Sequence, residues 1–251
     1  MQKVKFFIVK IYNKLITKLI RLKLSKQPTK IKSLKNYHKN ERCFIIGNGP
    51  SLKTEDLDYI KNEISFSCNM IYALLPKTSW RPYYYFSHDP GYIRRVNNQI
   101  KEVPAKKKFI GYFYETASTV YNDYRNIADH IYYINRSDPS YKNVQFSSDV
   151  SKKVESCGSV SFAMLQFAVY MGFKEIYLIG FDHNLNSKTE KIHFDGYTTT
   201  GNKKVDVNID GLTQGFIKTK QICDQLNIKI YNCTRGGKLE VFERKTLEEA
   251  L

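Results

Sequence analysis

Short apolar runs alternate with stretches of helical periodicity along the chain after Arg42. This alternation is typical of α/β folds in which helices flank a mostly parallel sheet. Strands are predicted at Cys43–Ile46, Ile64–Cys68, Tyr83–Ser87, Lys108–Tyr112, His130–Ile134, Glu175–Ile179 and Ile228–Tyr231. Helices are predicted at Thr54–Lys61, Tyr92–Ile100, Thr116–Ile127, Ser159–Met171, Leu212–Leu226 and, as a short turn, Leu247–Ala250. At 251 residues, the chain can build one full domain with a substantial core.

The helix Ser159–Met171 has the clearest pattern of these elements. Its apolar positions recur at helical spacing, and Gly172 follows as a typical C-terminal stop. The region Asn184–Asn208, in contrast, has no period and is rich in polar residues. It predicts a long loop, and long loops in compact domains often serve as lids over binding sites.

The first apolar run ends abruptly in Gly47-Asn48-Gly49-Pro50-Ser51, and a helical pattern follows. In Rossmann-like folds a buried parallel strand leads into a helix through such a turn, whose backbone N–H groups approach a phosphate. The turn is not a dinucleotide fingerprint, because Leu52 stands in place of the third glycine and Asn69, not an acid, ends the second strand. We therefore predict a Rossmann-like, mostly parallel domain that binds a nucleotide other than NAD.

Polar or glycine-bearing segments follow several predicted strands or precede the long helix. They are Gly47–Ser51, Asn69, His88-Asp89-Pro90, Cys157-Gly158-Ser159 and Gly180-Phe181-Asp182-His183-Asn184. Ligands of open parallel sheets bind at the carboxyl ends of the strands, so we expect these segments to converge on one edge. Each segment alone also has an ordinary explanation, since Asn closes many turns and Ser caps many helices.

These positions offer anion binding and acid–base chemistry. Gly158 and Ser159 open a helix whose N–H groups suit a phosphate or carboxylate, although plain caps greatly outnumber anion sites. Asp89 and Asp182 have the chemistry of metal ligands, yet no metal motif is present and no metal or cofactor is expected. The candidate bases are His88, His183 and His193. A lone histidine is more often structural, but three beside strand ends or the loop favour a site.

Positive charge is concentrated at the start of the chain. The net charge is +16, and residues 1–40 hold twelve Lys or Arg and no Asp or Glu. Residues 1–24 form an amphipathic pattern too charged to span a bilayer, which predicts a peripheral helix on the anionic inner leaflet of the cytoplasmic membrane. The alternative is a helix that packs on this protein or on a partner chain. Gln27-Pro28-Thr29 is predicted to end the helix, and a polar linker to about Asn40 separates it from a catalytic domain, 41–251.

The five cysteines have no zinc spacing and are odd in number, which fits buried thiols in a reducing cytosol. They are Cys43, Cys68, Cys157, Cys223 and Cys233. A nucleic-acid protein more often spreads a basic face over its folded domain, so no nucleic-acid partner is favoured. An oligomer is compatible with the sequence.

Four blocks of the chain resemble, in order, the bacterial sialyltransferases of glycosyltransferase family 42. The blocks are Ile45–Leu52, Cys68-Asn69, Gly158-Ser159-Val160 and Lys174–Asp182, within about residues 42–185. The same blocks resemble a broader family related to archaeal 6-hydroxymethylpterin diphosphokinase and to flagellin-modifying glycosyltransferases. The segments more similar to this broader family are Asp182-His183-Asn184, His193-Phe194 and Asn232–Gly237.

The resemblance to the sialyltransferases implies contacts with a cytidine nucleotide or its sugar. The positions that match are Asn48, Gly49, Ser51, Asn69 and Ser159. We add their neighbours Gly47, Gly158, Asp182 and Asn184 as donor-binding candidates. The resemblance also implies metal-free catalysis with a base from the lid, which is His193, or His183 as the alternative. The chain departs from the family at Asn184, where a phosphate-binding tyrosine is expected, and at the catalytic candidate Asp89, where the family has Asn.

The sequence therefore favours a glycosyltransferase that uses a nucleotide-activated sugar. CMP-sialic acid or a related nonulosonate is the first candidate donor, and a glycan or lipid-linked molecule of the cell surface is the acceptor. The alternative is a pterin diphosphokinase that uses ATP and magnesium, held by Asp89 and Asp182. A third hypothesis is a nucleic-acid-binding module that uses the basic arm.

Overall fold

The structure is a computed structural model that describes residues 27–113, 124, 126–136, 142–184, 193–194 and 209–251. Nine strands in this part of the chain form one sheet in the order β6-β5-β4-β3-β2-β1-β7-β8-β9. The strands are β1 (Arg42–Ile46), β2 (Ser65–Cys68), β3 (Tyr84–Ser87), β4 (Lys107–Phe113), β5 (His130–Asn135), β6 (Val154–Glu155), β7 (Glu175–Ile179), β8 (Lys229–Asn232) and β9 (Glu243–Arg244). All neighbouring strands are parallel, which confirms the Rossmann-like α/β class.

Helices flank the sheet on both faces. They are α1 (Gln27–Lys32), α2 (Thr54–Tyr59), α3 (Pro90–Arg95), α4 (Asn97–Glu102), α5 (Val160–Met171), α6 (Ile209–Gln225) and α7 (Leu247–Ala250). Two short 3-10 turns, Asn69–Ala73 and Leu75–Lys77, follow β2. None of the helices in the described ranges combines the length and apolar character that a bilayer crossing requires.

The strand order reverses between β1 and β7. Strands β2 to β6 lie on one side of this boundary, and β8 and β9 lie beyond β7 on the other. The two central strands pair from Arg42 opposite Glu175 to Ile46 opposite Ile179. Where the segments that follow two adjacent strands turn to opposite sides, a crevice opens at the carboxyl ends of these strands. The residues that follow β1 and β7, which begin with Gly47 and Gly180, therefore stand at this crevice.

Side chains of the central strands alternate between two apolar layers. Cys43 and Ile45 of β1 belong to the layer that contains α5 and α6. Phe44 and Ile46 belong to the opposite layer, which contains α2, α3, α4 and α7. Helix α5 is buried on nearly all sides, as its apolar composition requires. The predicted stop is confirmed, since Gly172 ends α5 in a left-handed conformation with φ of 91°.

The seven predicted strands are confirmed with bounds shifted by at most one or two residues. Strands β6 and β9 were not predicted, because an alternation of apolar and polar positions cannot be seen in two residues. The predicted helix Tyr92–Ile100 is two helices that meet at Val96, where φ is −118° and ψ is 30°. A β-branched residue followed by two asparagines propagates a helix weakly, which accounts for the break.

The end of the predicted N-terminal segment is folded onto the domain. Gln27–Lys32 is helical where a helix end was predicted, and its Ile31 is buried. In the predicted linker, the backbone N–H groups of Asn36, His38 and Asn40 donate to Tyr170, Met171 and Gly172 at the end of α5. The predicted amphipathic helix of residues 1–24 lies outside the described residues. Most of the predicted helix Thr116–Ile127 and most of the predicted loop Asn184–Asn208 also lie outside them.

Candidate ligand-binding cleft

A cleft of about 150 Å³ lies at the carboxyl ends of β1, β2 and β7, beside the first residues of α5 and α6. The predicted site residues that line it are Gly47, Asn48, Gly49, Asn69, Ser159, Asp182, His183, Asn184 and His193. The expected convergence of the strand ends on one cavity is therefore confirmed for β1, β2 and β7. Parallel strands around a switch point bring these positions together although they are far apart in the sequence.

Four predicted residues, Ser51, His88, Asp89 and Gly158, do not line the cleft. Asp89 is exposed, and its carboxylate accepts a hydrogen bond of 2.6 Å from the N–H of Tyr92, so that it caps α3. Gly158 is also exposed, and its N–H donates to Ser156 Oγ at 3.2 Å. Ser51 stands behind the cleft and bonds to Asp182. The carboxyl end of β3 thus lies away from the cleft, because the chain turns there directly into α3.

The neighbour of Asp89, His88, is not a cleft residue either. Its Nδ1 atom is buried without a hydrogen-bond partner among the described residues. Burial lowers the pKa of His88 to about 4. His88 is therefore neutral near pH 7, and its position outside the cleft lining is what counts against it as the base.

The backbone of the β1 turn bonds to the β7 turn. The N–H of Gly47 donates to Ile179 O at 2.8 Å, and the N–H of Gly49 donates to Gly180 O at 2.9 Å. The N–H of Ser51 donates to Asp182 Oδ1 at 3.1 Å. These donors are consequently occupied within the protein, which corrects the expectation that the Gly49 N–H binds a phosphate.

Asp182 places a carboxylate against the β1 turn. The Ser51 hydroxyl donates to its Oδ2 at 2.8 Å, in addition to the backbone bond. Burial raises the pKa of Asp182, and the two bonds from Ser51 offset part of this effect. An ionised Asp182 repels other anions, so a phosphate group is disfavoured directly at this turn.

Asn48 presents an acceptor to the cleft. Its Nδ2 donates to the backbone carbonyl of Cys68 at 3.2 Å, which fixes the orientation of the amide. Its Oδ1 is buried and has no hydrogen-bond partner among the described residues. An unpartnered buried acceptor costs about 1–3 kcal/mol, which a ligand with a suitable donor would recover.

The backbone of Asn48 also holds His193 and Phe194. The N–H of Phe194 donates to Asn48 O at 3.0 Å, and the Phe194 side chain is 1% exposed. Burial lowers the pKa of His193, and a hydrogen bond with the Asn48 backbone raises it in part. A bond that raises the pKa stabilises the charged ring, so the ring donates a proton to the Asn48 carbonyl. When the ring is neutral, its other nitrogen carries a lone pair. Phe194 thus anchors the predicted base beside the predicted nucleotide-binding turn.

Asn69 is held in a left-handed conformation with φ of 48°. Its backbone carbonyl accepts from the Tyr85 hydroxyl at 2.9 Å, and its Oδ1 accepts from Ser87 Oγ at 3.1 Å. The bond from Tyr85 holds the backbone of Asn69, and the bond from Ser87 orients the side-chain amide with its oxygen toward β3. Its Nδ2 group is therefore the donor that Asn69 has left for a ligand in the cleft.

The N-terminus of α5 forms another wall of the cleft. Ser159, Val160 and Ser161 line the cavity, and Ser159 Oγ accepts from the N–H of Ser161 at 3.3 Å. The other N–H groups of the first turn have no acceptor within the helix, and the helix dipole is positive at this end. This wall is consequently the part of the cleft with the properties of an anion site.

Helix α6 closes the cleft on the remaining side. Its Leu212 and Phe216 line the cavity, and the Phe216 ring lies 5.6 Å from the ring of His183. The sequence analysis did not assign these residues to the site, because nothing in a helical pattern tells which of its apolar positions faces a ligand. The described residues contain no group of three or more His, Cys, Asp or Glu side chains that could bind a metal ion.

The fold and cleft together define a Rossmann-like α/β protein with a candidate ligand site at its topological switch point. The family model described as 6-hydroxymethylpterin diphosphokinase MptE-like matches residues 18–188. The chain therefore belongs to the MptE-like family. A comparison with curated proteins gave no match.

The comparison with solved structures found similarity at low sequence identity. The MAf glycosyltransferase of Magnetospirillum magneticum AMB-1 is 15% identical with a TM-score of 0.55, and the match covers 89% of this chain. The chain spans 38% of the length of that protein. The sialyltransferase CstII of Campylobacter jejuni, in complex with the substrate analogue CMP-3FNeuAc, is 18% identical with a TM-score of 0.48, and the match covers 81% of this chain and 85% of CstII. The sialyltransferase Cst-I of the same organism is 16% identical with a TM-score of 0.39, over 77% of this chain and 75% of Cst-I.

Proposed function

We propose that this chain is a glycosyltransferase whose donor is a sugar activated by a nucleoside monophosphate, with CMP-sialic acid or a related nonulosonate first. The observation that carries this proposal is the division of the cleft into two kinds of wall. The N-terminus of α5 offers N–H donors to an anion, whereas the other wall has an acceptor of the β1 turn, Asn48 Oδ1, and a carboxylate of the β7 turn, Asp182. This division suits a ligand with one phosphate and several hydroxyl or amino groups.

The proposed reaction is a direct displacement at the anomeric carbon of the donor sugar. The acceptor hydroxyl oxygen forms the new bond to this carbon as the bond to the phosphate oxygen breaks. His193 takes the hydroxyl proton on the ring nitrogen that does not bond to Asn48. CMP leaves with its phosphate at the first turn of α5, whose N–H groups stabilise the developing charge.

The acceptor and the place of the reaction are further parts of the proposal. The basic residues 1–24 would hold the enzyme on the inner leaflet of the cytoplasmic membrane, where a lipid-linked glycan is accessible. Support comes from the charge, since no acidic residue balances the bases of this segment.

Pyrophosphoryl transfer from ATP to a pterin alcohol is the second candidate, and the description of the matched family favours it. It requires carboxylates that hold magnesium against the phosphates. Of the two proposed ligands, Asp182 lies in the cleft and bonds to Ser51, while Asp89 caps α3 outside it. This separation is the reason to rank the diphosphokinase second. The nucleic-acid-binding arm ranks third, because it leaves the polar cleft without a role.

Product analysis by mass spectrometry tests the proposal. Purified chain is incubated with CMP-N-acetylneuraminate and EDTA and, in parallel, with ATP, magnesium and 6-hydroxymethylpterin. We expect release of CMP in the first reaction, by hydrolysis where no acceptor is added. Formation of AMP and a pterin diphosphate in the second reaction, without CMP release in the first, would replace the proposal by the diphosphokinase.

A further inference from the structure

His183 has a left-handed backbone conformation. Its φ is 57°, and the other non-glycine residues with positive φ in the described ranges are all asparagines: Asn36, Asn40, Asn69 and Asn227. This left-handed region is uncommon for residues other than glycine, although asparagine and histidine adopt it more often than most. The conformation turns the chain after Asp182 so that the His183 ring lies against α6.

The hydrogen bonds of the ring fix its tautomer. Thr213 Oγ1 donates its single proton to the carbonyl of Ile209, at 2.7 Å. The His183 Nε2 atom lies 2.8 Å from the same Thr213 oxygen. Because the hydroxyl proton is already used, Thr213 accepts this bond, and His183 Nε2 must carry the proton. In the neutral ring, Nδ1 therefore has a lone pair and no proton.

The Nδ1 lone pair of His183 lacks a hydrogen-bond partner in the part of the chain that the structure describes. The atom is buried without a hydrogen bond among the described residues, although His183 lines the cleft. Burial lowers the pKa of His183, with no charged neighbour contributing, so the ring stays neutral near pH 7. The structure thus holds an imidazole in one tautomer and leaves its acceptor unsatisfied.

The unpartnered Nδ1 is one of three buried acceptor atoms on residues that line the cleft. Asn48 Oδ1 is also buried and unpartnered, and its identity as oxygen is set by the bond from Nδ2 to Cys68. Asn184 Oδ1 is a third such atom on a cleft residue. Oxygen and nitrogen lone pairs repel phosphate oxygens, so the ligand group that lies here carries O–H or N–H donors.

We propose that Thr213 is a positioning residue that holds His183 in the Nε2–H tautomer, so that His183 Nδ1 accepts a hydrogen bond from a hydroxyl group of the bound ligand. The proposal rests on the proposed function, in which the ligand is a nucleotide sugar. The hydroxyl belongs either to the ribose of the nucleotide or to the transferred sugar, and these two sources are distinguished by the choice of probe.

The tautomer is measured first, without ligand. Long-range ¹H–¹⁵N spectra of the full chain at pH 7.5 resolve the two ring nitrogens of each of the five histidines, and the spectrum of His183→Gln assigns the signal. We expect the Nε2–H pattern in the wild type and in Thr213→Ser, and a mixture of tautomers in Thr213→Val. A wild-type ring protonated on Nδ1, or a Thr213→Val spectrum equal to that of the wild type, overturns the positioning role.

Thr219→Val is the matched control for this substitution. Thr219 lies on the same helix, and its hydroxyl donates to Gly215 O, four residues earlier, at 2.8 Å. The Thr219→Val variant therefore loses the same kind of hydroxyl-to-carbonyl bond as Thr213→Val. His183 is bonded to Thr213 and not to Thr219. We expect its His183 spectrum to equal that of the wild type. A tautomer change in this variant would show that the effect comes from the helix in general, and would overturn the assignment to Thr213.

The ligand contact is measured with three probes: CMP, CMP-N-acetylneuraminate and free N-acetylneuraminate. A hydroxyl that donates to Nδ1 moves the ¹⁵N signal of that atom to lower frequency. A shift with CMP assigns the hydroxyl to the ribose, and a shift that requires CMP-N-acetylneuraminate assigns it to the sugar. We expect Thr213→Val to bind the effective probe about tenfold more weakly, the equivalent of one hydrogen bond, with Thr213→Ser and Thr219→Val within about twofold of the wild type.

The outcomes separate this proposal from the function on which it rests. If a probe binds the wild type tightly but leaves the Nδ1 signal unmoved, or binds Thr213→Val equally well, the role of His183 and Thr213 is wrong and the proposed function stands. If none of the probes binds the wild type, the proposed donor and the hydroxyl contact are both wrong, and the tautomer result alone decides the role of Thr213.

Discussion

The glycines of the β1 turn are explained by a close approach of two backbone segments. A Cβ atom at Gly49 would overlap the Asp182 carboxylate and lie 2.7 Å from Gly180 O. A Cβ at Gly47 would likewise overlap the carbonyl of Gly180. Contact between the two turns at the switch point is thus sufficient reason for glycine at both positions, without a phosphate.

Gly49→Ala tests this explanation. We expect the substitution to lower the free energy of unfolding by about 2–4 kcal/mol, because backbone and carboxylate must move apart to admit the methyl group. The matched control is Gly91→Ala in α3, where the nearest atom would be Asp89 Oδ1 at 3.3 Å and alanine favours the helix. Chemical denaturation of the two variants measures the difference, and equal unfolding midpoints would contradict the account.

His193 is the residue on which the proposed chemistry depends. We expect His193→Ala to lower the rate of transfer by 10²-fold or more, in the range of general acid–base catalysis, while nucleotide affinity stays within about threefold. The split between rate and affinity follows because the ring acts on the acceptor hydroxyl and not on the nucleotide. Initial rates and titration of the same preparation measure both quantities. Transfer at the wild-type rate would remove His193 from the role of base.

His130 predicts how stability depends on pH. It is buried, stacks on Phe109 at 4.6 Å between ring centroids, and neither ring nitrogen has a hydrogen bond among the described residues. Burial lowers the pKa of His130 from 6.5 to about 4. Between pH 6.5 and 4 the unfolded chain therefore binds the proton that the folded protein refuses, and stability falls as the pH falls.

The substitution His130→Phe removes the part of the stability loss at low pH that comes from protonation of His130. We expect the variant to lose less stability between pH 6.5 and 4, by at most about 1.4 kcal/mol per pH unit, and to equal or exceed the wild type at pH 7.5. Urea unfolding at a series of pH values measures the effect. Parallel pH profiles of the two proteins would show that His130 does not carry it.

Helix α5 has two roles that a single cap connects. Ser159 caps the helix through Ser161 N–H, and the same first turn forms the wall of the cleft assigned to the phosphate. Loss of an N-cap lowers the stability of a protein by about 1 kcal/mol at any capped helix. A loss of ligand affinity is expected only at α5, because its first turn lines the cleft. A second capped helix, α7, lies outside the cleft and has Thr246 as its cap.

Ser159→Ala and Thr246→Ala form the corresponding pair of variants. We expect both to lose about 0.5–2 kcal/mol of stability, and Ser159→Ala alone to bind CMP about tenfold more weakly. Denaturation and calorimetric titration measure the two effects. If both variants bind CMP like the wild type, the phosphate does not lie at the first turn of α5.

The elements that the sequence predicted well are those with long or repeated patterns. The apolar run within Glu175–Ile179 predicted β7 with its observed bounds, and Gly172 marked the end of α5. The two-residue strands β6 and β9 carry no such pattern and form because neighbouring strands offer them hydrogen bonds. The break at Val96 is marked by neither glycine nor proline, so propensity alone signals it weakly.

The same distinction applies to the site. The rule that ligands bind at strand ends predicts that Asn48, Asn69 and Asp182 lie together, and they do line one cleft. This rule does not predict that the N–H and hydroxyl groups of Ser51 donate to Asp182, because the two residues are 131 positions apart in the sequence. Thr213 lies in the middle of α6, and its bond to His183 depends on how that helix is rotated against the sheet. Tertiary packing decides such contacts, and a single sequence does not record it.

The arrangement of the whole molecule follows from its switch point. In the sheet, β2 to β6 lie on one side of the central pair β1 and β7, and β8 and β9 lie on the other. The segments that follow β1, β2 and β7 meet the N-terminal parts of α5 and α6. Polar groups from five separate parts of the chain thus share one cavity, and several of them have no partner within the described residues. A cavity of this kind is expected to gain stability when a complementary ligand binds.

The melting temperature of the chain with CMP, UDP, GDP or ATP, each with and without magnesium, tests this account most directly. We predict that CMP at a hundredfold excess over its dissociation constant raises the melting temperature by about 5 °C or more, equally with and without magnesium. The shift at the same CMP concentration should fall to about half in Asn69→Ala, because loss of one amide donor weakens binding about tenfold. A shift produced by ATP with magnesium and by none of the other nucleotides, or no shift with any of them, would contradict the account.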